Sequence, residues 1–348
     1  MTAYRESRRA NNDKRAGVRA LKAFVYRTTK SPVPGWQSVH EKQPRGVAYE
    51  TDQHFVHIYG AADQLWTISN GLTVTDKKDG TLADWIIGQF GGENIEQSNL
   101  DVGSTIEGVW RPGLFYDVEM LQGLAETNVN LRLAEQALLL LIQRLDELLL
   151  FVEPTTQSLA AHSHKARELL ILACTEVEAQ WKHHALRGGL QPKNQGFKTN
   201  DYVFLSGPLN LGEYEIVLPR YEEVPPIRPF LGWSPTRPTQ SIPWYDAYNK
   251  TKHDGKDQFA AATLLSCIQA VAANIVMFSV RFGPFRLYQG GGMLSAIFNP
   301  TFAIALRECD PKSFYVPEVD VAGRNQGLTW GQAENLSRKP IPFTLSSA

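Results

Sequence analysis

Leucine dominates the stretch NVNLRLAEQALLLLIQRLDELLLFVEP, from Asn128 to Pro154, on nearly every side of a helical projection. A helix apolar all round is deeply buried or packed between other helices, and proline ends it. The next stretch, TTQSLAAHSHKARELLILACTEVEAQWKHHALRGG, places Leu169, Leu170, Leu172, Ala173, Val177 and Trp181 on one helical face. Gly188 and Gly189 stop it. Together they predict an antiparallel helix pair with a short connection. A third long helix is predicted from Asp257 to about Arg281, alanine-rich for close packing and stopped by Gly283 and Pro284.

Before these helices the period changes. VAYETDQHFVHIYG carries β-branched and aromatic residues with partial alternation. Trp66 and Ile68, then Leu72 and Val74, alternate with Thr and Ser around Asn70-Gly71. Asn-Gly accepts the positive φ of a two-residue turn, so a hairpin is expected there. Glycines 88, 91, 92, 103, 108 and 113 predict an irregular strand-rich region over 84–120. Nine of the chain's twenty prolines fall between Pro192 and Pro243. That density excludes long helices and central strands, leaving a crossover that wraps the surface with one or two short edge strands in YEIVLPRYEEVPPIRPF.

The expected fold is α+β, mainly an α-helical bundle with a small strand-rich N-terminal region. Residues 1–45 read as a basic arm and linker, 46–125 as the strand-rich region, 126–285 as the helical domain with crossover 190–243, and 286–348 as an irregular extension.

Bulk composition adds little. The chain has 348 residues and a net charge of −1, so there is no global pull toward nucleic acid or membrane. The charge is local: residues 1–30 hold nine Arg or Lys against two acids, an arm that could contact phosphate or stay solvated. Within it, RAGVRALKAFVY could form a short amphipathic helix. Cys174, Cys267 and Cys309 follow neither a disulfide nor a zinc spacing, and the first two read as core residues of a reducing compartment. No apolar signal core opens the chain, and a cytoplasmic location without membrane contact is expected.

The glycine-rich GQFGG and QGGGML lack the residues of a phosphate loop or dinucleotide fingerprint, and no nucleophile elbow or zinc helix occurs. Gly290–Gly292 could instead hinge the C-terminal extension. His54 with His57, His162 with His164, and His183 with His184 read as structural or solvated. Neither a cofactor nor a metal is expected.

The chemically dense stretch is WYDAYNKTKHDG, residues 244–255. At about 100° per residue, Tyr245, Tyr248, Asn249, Lys252 and His253 share one wide helical face, with Trp244, Ala247 and Thr251 opposite. A base or acid beside a cation suits a phosphodiester. The bland alternative stands beside it: Asp246 and Lys250 form an i,i+4 pair, Asp254 or Asp257 caps the next helix, and the phenols and imidazole satisfy one another. Of the acids in ACTEVEAQWK, Glu176 and Glu178 diverge by about 200° on a helix, so at most one faces the motif.

RELLILACTEVEAQWK, a proline-containing crossover, WYDAYNKTKHD and an alanine-rich helix together resemble a bacterial protein group whose core looks like the HEPN superfamily, over residues 128–285. That resemblance implies a helical bundle that often dimerises and is often a metal-independent endoribonuclease of toxin–antitoxin, CRISPR or anti-phage defence. Its motif is an arginine, a polar residue and, after four to six intervening residues, a histidine. His253 matches the histidine and Asn249 the polar residue, but the arginine position falls on Tyr248, and the longer spacings fall on Ala247 and Asp246. The resemblance implies His253, Asn249 and Lys252 as catalytic groups. Lys250, Tyr245, Tyr248 and an incoming Arg167 would bind substrate, and Glu176 either orients His253, if the helices pack antiparallel, or is a solvated acid. RNA, a second protomer and a protein partner or antitoxin are the implied partners. The alternative is a non-catalytic dimeric scaffold or protein-binding module.

Overall fold

The computed structural model describes residues 21–35, 37–42, 44–60, 68–113, 124–192, 196–253, 258–289, 291–321, 323–324, 327–329, 336–337 and 339–345. The fold is α+β. Its first part runs β1 (Lys22–Arg27), α1 (Gln37–Lys42), β2 (Arg45–Glu50), β3 (His54–Gly60), β4 (Ile68–Asp76), α2 (Leu82–Phe90), β5 (Glu93–Asp101) and β6 (Ser104–Ile106). The helical part follows with α3 (Asn128–Leu149), α4 (His164–Arg187), α5 (Thr199–Tyr202), β7 (Tyr214–Val217), α6 (Pro243–His253) and α7 (Leu264–Phe282). The chain closes with α8 (Phe285–Gln289), α9 (Met293–Thr301), β8 (Ala303–Leu306), β9 (Glu318–Val319), β10 (Gly327–Thr329), β11 (Leu336–Ser337) and β12 (Lys339–Ile341).

The main sheet has six strands in the order β10-β4-β3-β2-β1-β5. Period-two alternation gives it two apolar faces. Tyr49, Val56 and Val74 lie in register on one face with Val316, Val319 and Val321. Ala48 and Phe55 lie on the other, under Leu82, Ile86 and Phe90 of α2. That helix is fixed by a capping box between Thr81 and Asp84 and ends at Gly91 in the left-handed region (φ 59°).

Two expectations are corrected here. Residues 22–27, assigned to the arm and its amphipathic helix, form an interior strand between β2 and β5, because Ala23 and Val25 on one face and Phe24 and Tyr26 on the other match the pleat once neighbours are supplied. The expected hairpin at Asn70-Gly71 is absent: both residues lie inside β4. Pairs with β3 at Ile68 and Leu72 bracket the segment, and Gly71 pairs with β10 on the other side. The turn signal survives as a register shift, with Gly60 opposite Ile68 but Ile58 opposite Leu72, so β4 carries extra residues there. Trp66 and Thr67 lie outside the described residues.

In the bundle, α3 and α4 form the expected antiparallel pair, capped by Thr127 and Ser163. The central helix α7 begins at Leu264 with Thr263 as N-cap, later than the expected Asp257, which with Asp254 lies outside the described residues. It is long and apolar enough to cross a membrane, but most of it is buried inside the fold. The proline-rich crossover does more than wrap the surface. Val203, Leu205, Leu211, Ile227, Phe230 and Trp233 enter the main core, while 3-10 turns and local hydrogen bonds satisfy the backbone. Its one edge strand, β7, pairs with β8.

The C-terminal stretch, expected to be irregular, ties the two parts together. β10 extends the sheet, β12 runs parallel to β6, and Leu345 N donates to the Gly188 carbonyl at 3.0 Å. β9 and β11 pair with each other, while β8, β10 and β12 take partners far upstream, so little of this stretch shows a pattern of its own.

Candidate functional site

Pro243 opens α6 at a position where its missing N–H costs nothing, and the Tyr245 and Asp246 amides close the first turn on the Ile242 carbonyl. The helix is buried on two sides. Trp244, Ala247 and Thr251 face the core, with Trp244 Nε1 donating to the Pro229 carbonyl at 2.8 Å and the Thr251 hydroxyl donating to the Ala247 carbonyl. Tyr245 and Tyr248, expected to present phenols to a ligand, are 3% and 1% exposed and point into the bundle. The reason is an aromatic cluster around Trp181 of α4: Trp233 stacks on it at 4.7 Å between centroids, and Tyr245 and Trp244 approach at 5.2 and 6.1 Å.

The polar side chains described on this helix have partners within the chain. Tyr245 Oη donates to Glu178 Oε1 at 2.5 Å. Burial pushes that phenol far above its ordinary range, and the adjacent Glu178 carboxylate pushes further. Asn249 Nδ2 donates to the Tyr245 carbonyl at 2.9 Å, within its own helix. Lys252 Nζ donates to Tyr248 Oη at 2.9 Å and lies 5.1 Å from that ring's centroid. The phenol hydrogen bond raises the ammonium's pKa against an opposing desolvation. Lys250 pairs with Asp246 at 2.7 Å across one helical turn.

Arg167 does reach α6 from the preceding long helix. Its Nη2 donates to the Thr251 carbonyl at 3.3 Å, where a cation meets the negative end of the helix. Its buried Nε has no hydrogen-bond partner among the described residues. The His253 backbone ends α6, and the His253 side chain lies outside the described residues.

The acid facing the motif is Glu178, not the expected Glu176. The 200° divergence of the two positions turns Glu176 toward Gln180 and Arg281, where burial raises its carboxyl pKa. Helical spacing alone separated the two acids but left open which one faces α6.

Sequence reasoning missed a second charged centre. Glu126, just before α3, is buried and receives Arg187 at 2.7 Å, Arg281 at 3.0 Å, Asn130 Nδ2 at 3.2 Å and His183 at 3.5 Å. Burial alone would raise its pKa. The nearby His183, the hydrogen bond from Arg281 and the charges of both arginines outweigh it, lowering the carboxyl to about 2. Beside it His184 is fully buried. Desolvation first, then the positive charges nearby, lower its imidazole to about 3, so the ring is neutral. Glu126 sits in an unpatterned loop, so no periodic signal marks it. Comparison of the chain with protein-family models, curated proteins and solved structures finds no match.

Proposed function

We propose that this chain is a HEPN-like, nucleic-acid-associated protein that holds RNA along the exposed edge of α6 without cutting it. One observation carries the non-cleaving reading: Tyr248 stands where the resemblance calls for an arginine, and it is buried and holds the ammonium of Lys252. A phenol offers no bidentate fork to a phosphate, and a lysine supplies only a point charge. Asn249 is likewise committed to its own helix. Lys250 and Lys252 remain on the exposed rim as the cations a phosphate backbone would meet.

A second reading, a metal-independent endoribonuclease of a defence or toxin-type system, is favoured by Arg167. It brings a guanidinium with an unpartnered Nε to the end of α6 where His253 lies. In that reading Arg167 replaces the missing motif arginine and His253 is the acid or base.

One experiment separates these. Full-length protein is incubated with total RNA in EDTA, beside His253→Ala and a Lys250→Glu/Lys252→Glu double variant, and RNA binding is followed against salt. The expected result is intact RNA in every sample, binding that weakens as salt rises, and binding reduced roughly tenfold in the lysine variant. Cleavage that disappears in His253→Ala selects the nuclease reading. No RNA binding at low salt and no cleavage removes both.

A further inference from the structure

The outer face of α3 is apolar where solvent favours charge. Val129, Leu133 and Leu140 are 57%, 52% and 43% exposed, and Leu150 just past the helix end is 78% exposed. Single exposed leucines are ordinary, but a row of them along one helical stripe marks an interaction surface. Leu172 of α4, 39% exposed, lies across a groove bordered by Arg144, Glu147 and Lys165 and widens the stripe.

The polar residues on the same arc are arranged in a particular way. Arg132 and Glu147 stand equally far from the Leu139–Leu140 peptide bond, on opposite sides of it. So do Gln136 and Gln143, and so do Val129 and Leu150. A contact about a two-fold axis requires this self-complementarity, because each residue meets its counterpart's mirror position.

We propose that a second copy of this chain docks antiparallel on α3, with the two-fold axis at the Leu139–Leu140 bond. Arg132 of each copy then lies over Glu147 of the other, Val129 over Leu150, and the two Leu140 side chains meet near the axis. Glu147 already receives Lys165 and Arg144 within its own chain. The incoming Arg132 therefore joins a charge network, and no acid is buried alone. Arg132 in turn leaves only a hydrogen bond to Gln136 on its own helix. This surface is separate from the RNA-holding edge: α6 packs on α4 and α7, while α3 packs on α4, α7 and α9. The proposed dimer does not join the two α6 helices into one composite site, and it stands whether or not the chain binds RNA.

The test is the molar mass of the full chain by light scattering after size exclusion, across roughly 1–50 μM, the range in which a dimer of ordinary affinity dissociates. The wild type is expected to be a dimer. Leu133→Glu/Leu140→Glu is expected to be a monomer with unchanged helical circular dichroism. Arg132→Glu is expected to weaken the dimer roughly tenfold, and Arg132→Lys to keep most of it. A monomeric wild type, a dimer indifferent to the leucine changes, or a dimer indifferent to Arg132→Glu would each overturn the proposal. Arg132 makes only a hydrogen bond to Gln136 within its own helix, so its charge variant tests the interface independently of how well the leucine variant folds.

Discussion

The contact between Tyr245 and Glu178 joins α6 to α4 through one short hydrogen bond in an otherwise aromatic wall. Removing the hydroxyl leaves a partly buried carboxylate without its donor. Tyr245→Phe is therefore expected to lower stability by about 1–2 kcal/mol, seen as a lower urea midpoint at unchanged m-value. An unchanged midpoint would show that water replaces the phenol freely. Gly113 makes a stricter case. Its φ is +106°, and a Cβ there would lie 1.9 Å from the Tyr315 carbonyl oxygen. Backbone cannot yield as a side-chain tip does, so Gly113→Ala is expected to cost more than about 2 kcal/mol, read by thermal unfolding. At this scale the sequence supplied candidates but few contacts. Lys250 with Asp246 was legible because both lie on one helix. Tyr245 with Glu178 was not, because periodicity says which residues share a face and leaves open which face meets it.

Among the elements, the three long helices were legible from apolar periodicity and from their stops, since burial of a stripe is imposed locally by the 3.6-residue repeat. Their starts depended on caps. The Ser163 hydroxyl accepts the Ala166 amide at 3.1 Å and begins α4 at His164, before Leu169, the first residue of the apolar pattern. Ser163→Ala is expected to remove about 1 kcal/mol of stability, while Ser163→Asp should retain most of it. Equal losses in both would show that the hydroxyl is not acting as a cap. The strands were harder to read. β1 was hidden in a basic segment, and the Asn-Gly of β4 suggested a turn where the strand pairs flanking it keep the chain extended. A strand's partners lie far along the chain, so local chemistry that favours a turn is overruled when pairing on both sides favours extension.

Across the whole molecule, the loop before α3, the end of α4 and the end of α7 meet at Glu126, and this junction makes stability depend on pH. The Glu126 carboxyl is depressed in the fold to about 2, so its contribution is complete above its unfolded pKa of about 4.5 and is lost as pH falls toward 2. His184 is held neutral, with a folded value of about 3, so its contribution is complete above about 6.5 and is lost as pH falls from there toward 3. The protein is expected to lose stability in two overlapping stages on acidification, on the order of a few kcal/mol in all. His184→Phe should flatten the stage between pH 6.5 and 4.5, and Glu126→Gln the stage below 4.5, in urea unfolding followed across that range. A profile identical to wild type in His184→Phe would show that another group titrates there.

The sequence by itself determined the α+β class, the long helices, the proline-rich crossover and the polar density of residues 244–253, because these follow from short-range periodicity and from what proline forbids. Tertiary structure alone decided that the phenols of Tyr245 and Tyr248 turn inward, that Glu178 is the acid α4 brings to α6, and that β10 joins the main sheet. The physical reason is common to all three. Each depends on which distant surface is nearest after the core has closed, and that distance is set by packing and not by spacing along the chain.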